Sequence, residues 1–345
     1  MPPRGLRRAI LPRVNPWLIE LIVVRARTHG DAERRSLARD VTRGLLVRVR
    51  LGVYVDSGAW KAVGIDGQHV VRMRALAAVA GRPPVFSHWS AALVHGLAFM
   101  RPGSSDVHVT DPDPAQRGRK GVAGHVRALG REEVVRVGEL LVTALPRTVV
   151  DVAAASAFED GVVIADGALS AGLPRELLEE AVDLAGPRHG GVRAARAIAF
   201  GHPGGESAGE SRSRTTMFVL GVEPPDLQVA IWDEQGLAGV VDGCWRRLRA
   251  VGEMDGAKKF LDPKLAPKGA GQVLYDEKRR EDRVRAQASA LARWGWVEAC
   301  TARLLQPILA RIGVLPLERP PTLGDWAALA RSARPRRPRL GSTPR

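Results

Sequence analysis

The stretch "GVVDGCWRRLRAVGEMDGAKKF", residues 239–260, decides how this chain is read. Its apolar positions suit a short antiparallel pair turning near Arg246 and Arg247, yet three carboxylates and two lysines are set among them. On a strand, residues i and i+2 share a face, so Glu253 and Asp255 are expected to project together. The preceding strand is expected to bring Asp242 within reach across the turn. Carboxylates crowded on one small surface repel one another, and a cation between them removes the conflict. Hard oxygen donors of this kind suit Mg2+ or Mn2+ rather than zinc, with Asp242, Glu253 and Asp255 as the ligand set.

Outward from this stretch, "FGHPGGESAGE" reads as a Gly-rich linker opening a block over residues 201–315. "ESRSRTTMFVLG" predicts a helix capped by Ser207 or Gly209 and closed by Gly221. "DLQVAIWD", "LAGVVDGCW" and "RLRAVGEMD" predict three strands, the first two joined by a turn at "EQG". A long charged helix, "YDEKRREDRVRAQASALARWG", a strand, "WVEAC", and a last helix complete the block. The order is α, β, β, β, α, β, the common core of restriction-endonuclease-like nucleases.

Four segments carry a closer likeness: "AGESRSR" (208–214), "VVDG" (240–243), "GEMDGAKKF" (252–260) and "EKRRED" (277–282). Together they resemble a family related to very-short-patch-repair endonucleases, within the PD-(D/E)xK superfamily. The resemblance implies Glu210 as the acid of the first helix, with Glu206 a neighbouring alternative. It implies Asp242 as the central aspartate, Glu253 and Asp255 as an E-x-D pair, and Lys259 as the basic position that follows. The implied reaction is metal-assisted phosphodiester hydrolysis. Asp242 and Glu253 would hold the ion, Asp255 or Glu210 would complete its shell, and Lys259 would stabilise developing negative charge. Lys258, Arg279 and Arg280 are the implied phosphate contacts. Where the superfamily carries lysine two residues after the acid, this chain has Asp255, so the charge role falls to Lys258 or Lys259. A literal PD…DxK match, "PPD" at 224–226 with "DPK" at 262–264, sits in a Pro-rich loop without a rigid support and is set aside.

Upstream, "PWLIELIVVRARTHG" and "DAERRSLARDVTRG" predict two helices, and "LLVRVRLGVYV" a basic strand. With "RLGVY" at 50–54, residues 1–58 resemble the winged-helix region of AbiE-type antitoxins, which implies Arg48 and Arg50 as nucleic-acid contacts. A small helical cap with a basic hairpin fits the same residues. Residues 64–200 predict a mixed, mostly helical domain with strands at "DVHVT", "GHVRAL" and "ELLVT"; "TALPRTVVDVAA" resembles the middle of the same antitoxins. His88 and His95, seven apart, do not form an adjacent-turn metal pair, and this block is assigned no catalysis. The fold class expected is thus α+β multidomain: a winged-helix-like module, a mixed helical middle domain and a restriction-endonuclease-like α/β domain.

Composition bounds the partners. The net charge is +15 over 345 residues, but residues 1–13 carry four arginines and no acid, and residues 331–345 carry six arginines and no acid. Those ends read as solvated, the last forming part of a disordered basic tail over 316–345. Five of the seven lysines fall between 258 and 278, beside the acidic stretch. Cys244 and Cys300 have no metal-ligand spacing and fit a reducing compartment. The absence of an 18-residue apolar run and of a secretory apolar region predicts a cytoplasmic, nucleoid-associated protein with no membrane partner. Three functions compete: a DNA endonuclease targeted by its N-terminal module, a non-catalytic antitoxin-like transcriptional regulator of a type IV toxin–antitoxin system, and a module that neutralises a cognate nucleotidyltransferase-type toxin. DNA is the expected partner, and cutting both strands would call for a homodimer.

Overall fold

The computed structural model describes residues 15–24, 30–100, 104–113, 120–255 and 270–332. The chain is a mixed α/β protein that divides into two compact units, Met1–Ala155 with Glu176–Gly191, and Ser156–Arg175 with Val192–Arg345. Among the described residues no helix is long and apolar enough to cross a membrane.

In the first unit the helix expected from residue 16 is not formed over the described residues up to 24. Pro16–Leu18 make one 3-10 turn, and strand β1 (Ile22–Val23) follows. The reason is a competing donor: Arg74 Nη1 donates to the carbonyls of Pro16 at 2.7 Å and Ile19 at 2.8 Å, acceptors that a continuing helix would need. Helix α1 (Asp31–Thr42) forms as predicted, with Asp31 and Glu33 in its first turn and Arg39 in its last, complementing the helix dipole. The single basic strand expected next is a hairpin instead. β2 (Leu46–Arg50) and β3 (Val53–Asp56) pair antiparallel around Gly52, whose φ of 75° is a conformation L side chains avoid. The three strands run in the order β1-β3-β2. Ile19, Val55, Val63 and Val71 form the core beneath them.

Helices α2 (Ser57–Ala62) and α3 (Gly64–Val79) lead to β4 (Val85–Phe86), α4 (His88–Val94), β5 (Val107–Asp111), β6 (Val122–Val126), β7 (Val134–Val137) and β8 (Leu140–Thr143). These strands make a five-stranded sheet ordered β6-β5-β4-β8-β7, so this block holds more sheet than its sequence suggested. Met73 and Leu76 of α3 pack with Phe86, Val107, Val109, Leu140 and Val142. Next come α5 (Leu145–Ala155), α6 (Phe158–Ser170), which belongs to the second unit, and α7 (Arg175–Ala185). Arg147 and Asp151 of α5 are buried. Arg147 Nε and Arg188 Nη2 both donate to Asp151 Oδ1, at 2.9 and 2.6 Å.

The second unit continues with α8 (Gly191–Phe200), α9 (Ala208–Leu220), β9 (Asp226–Asp233), β10 (Gly236–Trp245), β11 (Ala250–Met254), α10 (Ala270–Gln287) and β12 (Ala290–Trp294). β9, β10 and β11 form an antiparallel meander, and α10 crosses over to set β12 parallel to β11, giving the order β12-β11-β10-β9. Here the long helix stops earlier than its sequence suggested, and the strand predicted at "WVEAC" is displaced six residues upstream. Ala292 and Trp294 alternate into the core along β12, while Trp296–Ala299 form the short helix α11 after Gly295. Helices α12 (Ala302–Arg311) and α13 (Leu323–Ser332) follow. α13 corrects the expectation of a disordered tail from residue 316: its buried Trp326 stacks on Phe200 with ring centroids 5.0 Å apart and meets Phe218 edge-on. Residues 333–345 lie outside the described residues.

Gly252 lets β11 pass under two indoles. A Cβ there would stand 2.5 Å from the Trp294 ring and 3.2 Å from that of Trp245, both buried. Gly252→Ala is expected to destabilise the chain by about 1–3 kcal/mol through overpacking, measured by urea unfolding. An unchanged midpoint would show that the ring of Trp294 yields freely.

Candidate functional site

The acidic residues of the opening stretch lie where β10 and β11 separate. Gly243 still pairs with Gly252, but just beyond that pair Asp242 turns its carboxylate to the end of β11, where Oδ2 accepts the Met254 N–H at 2.8 Å. Helix α9 covers this face and is pinned by two hydroxyls, one to β12 and one to α11. Ser213 Oγ accepts the indole N–H of Trp294 at 2.7 Å, and Thr216 Oγ1 donates to the Ala299 carbonyl at 2.6 Å. Glu210 stands one turn before Ser213, so the same helical face presents it to Asp242. Gln228 of β9 links the two acids: its Nε2 donates to Glu210 Oε2 at 3.2 Å and lies 3.5 Å from Asp242 Oδ1. Glu210, Asp242, Met254 and Trp294 line a small cavity of about 20 Å³.

Glu210 also caps its own helix. Ser207 Oγ accepts the Glu210 N–H and donates to its Oε1 at 2.7 Å, while the Glu206 N–H donates to Oε2 at 3.0 Å. Burial and the neighbouring charge of Asp242 nevertheless push the Glu210 carboxyl up to about 7, against the Ser207 hydrogen bond. Two carboxylates facing one shared amide donor repel one another once both are ionised, a cost that a cation between them would relieve.

Glu253 does not join this pair. One residue before Met254, it projects to the opposite face of the sheet. There it is 6% exposed and held by two arginines: Arg280 Nη2 donates to Oε1 at 2.9 Å, and Arg293 Nε and Nη2 donate to Oε2 at 2.9 and 2.6 Å. Asp255 is exposed at the strand end, with its N–H donating to the Trp294 carbonyl at 2.9 Å. The structure therefore brings Glu210 and Asp242 together and separates Glu253 from them. Among the described residues no three carboxylates converge closely enough to share one ion. Lys258 and Lys259 lie outside the described residues. Arg279 is exposed on α10, Arg280 is committed to Glu253, and Arg48 and Arg50 sit on β2 of the other unit.

Gln228 and Arg293 carried no signal in the sequence. Gln228 occupies a left-handed backbone conformation, φ 53°, in the middle of a strand, and Arg293 lay in a segment that read as helix. Cys244 and Cys300 are both free thiols, and burial pushes that of Cys244 up.

No protein-family model matches the chain, and no solved structure matches it significantly. The fold and site thus define a mixed α/β protein with an acid pair at a strand end. Two relatives place it further: "Uncharacterized protein MT2308" and "Uncharacterized protein Rv2248", from two strains of Mycobacterium tuberculosis. Each is 30% identical over 231 residues, spanning 67% of this chain and 81% of the relative. The chain belongs to the same family as these mycobacterial proteins.

Proposed function

We propose that the second unit is a restriction-endonuclease-like domain that hydrolyses phosphodiester bonds in DNA with Mg2+ or Mn2+. The observation that carries this reading is the Glu210–Gln228–Asp242 constellation at the parting of two strands, inside an α-β-β-β-α-β order. The donor set fits a hard divalent ion: two carboxylates whose mutual repulsion a cation relieves, with Asp242 oriented by the Met254 N–H. Bound there, the ion would lower the pKa of a coordinated water and offset charge on the attacked phosphate. Asp242 and Glu210 would hold it. Gln228 fixes the spacing of the two acids, while Asp255, exposed at the strand end, falls by strand alternation on the side of Glu253 rather than of the pair. Lys258 and Lys259 follow directly in the sequence and would supply positive charge to the phosphate.

The first unit supports a targeting role. Its β1-α1-β2-β3 order with sheet order β1-β3-β2 suits a winged-helix-like module with one helix in place of two. α1 buries none of its residues, and Arg48 is exposed on β2. These features suit phosphate contacts on duplex DNA, in keeping with a nucleoid-associated, cytoplasmic protein.

A second reading rests on Glu253. Its capture by Arg280 and Arg293 neutralises an acid that the nuclease family uses, which favours a non-catalytic, antitoxin-like regulator that binds DNA alone. One experiment separates the two. Mn2+ titration by calorimetry and plasmid nicking are measured on the full chain, wild type against Asp242→Asn. The nuclease reading expects Mn2+ affinity to fall at least about tenfold and nicking to drop to background. Wild-type protein that binds DNA but neither binds Mn2+ nor nicks would overturn it in favour of the regulator.

A further inference from the structure

We propose that His88, His108 and His125, in the first unit, form a binding site for a borderline transition metal of the zinc class, separate from the acid pair. One ring nitrogen from each lies within 4.8 Å of the other two. They come from three different elements, the start of α4, β5 and β6, so no local periodicity produces their convergence. His108 Nδ1 is 2.9 Å from His125 Nε2, and the rings of His88 and His125 stack at 3.5 Å.

A hydrogen-bonded histidine stack with a purely structural role would be expected to satisfy its polar atoms. This one does not: His108 is 7% exposed, and while its Nδ1 meets His125, its Nε2, which is not the nitrogen facing the cluster partner, is buried without a hydrogen-bond partner. His88 is also held in a backbone conformation, φ 49°, that a β-carbon disfavours. Strain of that kind persists where surrounding contacts over-determine it, and it aims the ring inward. Hydroxyls surround the cluster as outer supports. Ser87 Oγ lies 3.0 Å from His88 Nδ1 and accepts from Thr110 Oγ1 at 2.7 Å, while Ser90 Oγ accepts the His108 N–H at 2.8 Å. With Nδ1 of His88 engaged by Ser87, its Nε2 is the nitrogen left for a metal.

The positive groups nearby are already compensated. Arg147 and Arg188, whose charge reaches His88, both donate to Asp151, and Arg147 also pairs with Glu133. Three imidazoles suit zinc, copper, nickel or iron rather than magnesium. At metal–nitrogen distances of about 2.0–2.1 Å, the ligand nitrogens of a tetrahedral site stand roughly 3.3 Å apart. The 2.9 Å contact therefore has to open by a few tenths of an ångström, and the near-parallel rings of His88 and His125 have to rotate about Cβ–Cγ so that their lone pairs converge. A fourth position would remain for water or a small ligand. His108 also lines a cavity of about 210 Å³ with His69, Trp89 and Asp106.

Co2+ is the probe. Full-length protein, stripped with chelator, is titrated with Co2+ at neutral pH and followed by its visible d–d absorption. The expected result is one equivalent giving the intense bands of a tetrahedral nitrogen-donor site, bleached by added Zn2+. His125→Gln and His108→Asn, each checked for folding by circular dichroism, are expected to weaken binding at least about 100-fold. Asp242→Asn is expected to leave the bands unchanged. Wild-type protein showing only the weak spectrum of octahedral Co2+ overturns the proposal whatever the variants do. So does a folded His125→Gln that binds as tightly as wild type.

Discussion

Asp166→Ala is expected to destabilise the chain by about 3–5 kcal/mol, because it leaves a buried guanidinium without its counter-ion. Asp166, on α6, is fully buried, and its carboxylate accepts three hydrogen bonds. Arg214 Nη1 donates to Oδ2 at 2.7 Å, Ser211 Oγ to Oδ2 at 2.8 Å, and the His202 N–H to Oδ1 at 2.7 Å. Arg214 spends a second donor on the Phe200 carbonyl at 2.9 Å and lies over the Phe200 ring, so it has no path to water. Burial raises the Asp166 carboxyl, and Arg214 opposes that shift, which marks the pair as mutually dependent. Asp166→Asn keeps the shape and one acceptor and is expected to lose less, about 1–3 kcal/mol. The double replacement Asp166→Leu with Arg214→Met is expected to recover much of the loss, since neither charge then needs a partner. Urea unfolding of the three variants checks the set. A loss below about 1 kcal/mol for Asp166→Ala would mean that water reaches Arg214. The consequence reaches the site: Ser211 and Arg214 follow Glu210 within the next turn of α9, so this network helps set the rotation of the helix that aims Glu210 at Asp242.

How much of this was legible follows from which forces act locally. Helix α9 was readable at both ends because Ser207 caps it and Gly221, at φ 67°, closes it, and both signals depend on neighbouring backbone alone. The meander was readable because β9 and β10 are joined by a short turn and carry β-branched residues. β12 was misplaced because Ala290–Trp294 continues a run of helix formers. Only its parallel pairing to β11, a contact some forty residues away in sequence, makes it a strand. The same limit applies to the acids. Sequence spacing puts Glu253 and Asp255 on one side of a strand, but not which side faces α9. That choice is made by Arg280 and Arg293, which draw Glu253 to the other face. The histidine cluster was invisible for a related reason: His88 was weighed against His95, its partner by helical spacing, whereas its actual neighbours arrive on β5 and β6. His95 instead bonds the Thr143 carbonyl at 2.8 Å.

Stability between about pH 4.5 and pH 7 is expected to fall as pH rises, through Glu210. Its carboxyl moves from an ordinary value of 4.5 in the unfolded chain to about 7 in the folded one, with burial the larger cause and Asp242 the second. Over that window the folded state keeps a proton that the unfolded state has released, so each added pH unit favours unfolding. At about 1.36 kcal/mol per unit, the contribution reaches about 3 kcal/mol once pH exceeds the folded value, and it is absent below pH 4.5. Glu210→Gln has no proton to lose. It is expected to flatten this part of the profile and to be more stable than wild type at pH 8, with the difference vanishing near pH 4.5. Urea midpoints for both proteins across that range measure it directly, and parallel profiles would remove Glu210 as the cause. The same linkage tests the proposed ion. Mn2+ held between Glu210 and Asp242 must displace the proton, so it should restore wild-type stability most strongly above pH 7 and release about one proton per site below it. The amide of Glu210→Gln should cancel that pH dependence. If Mn2+ stabilises wild type and variant equally at every pH, the ion is not using Glu210, and the raised carboxyl is the electrostatic penalty of a helix cap placed against an aspartate.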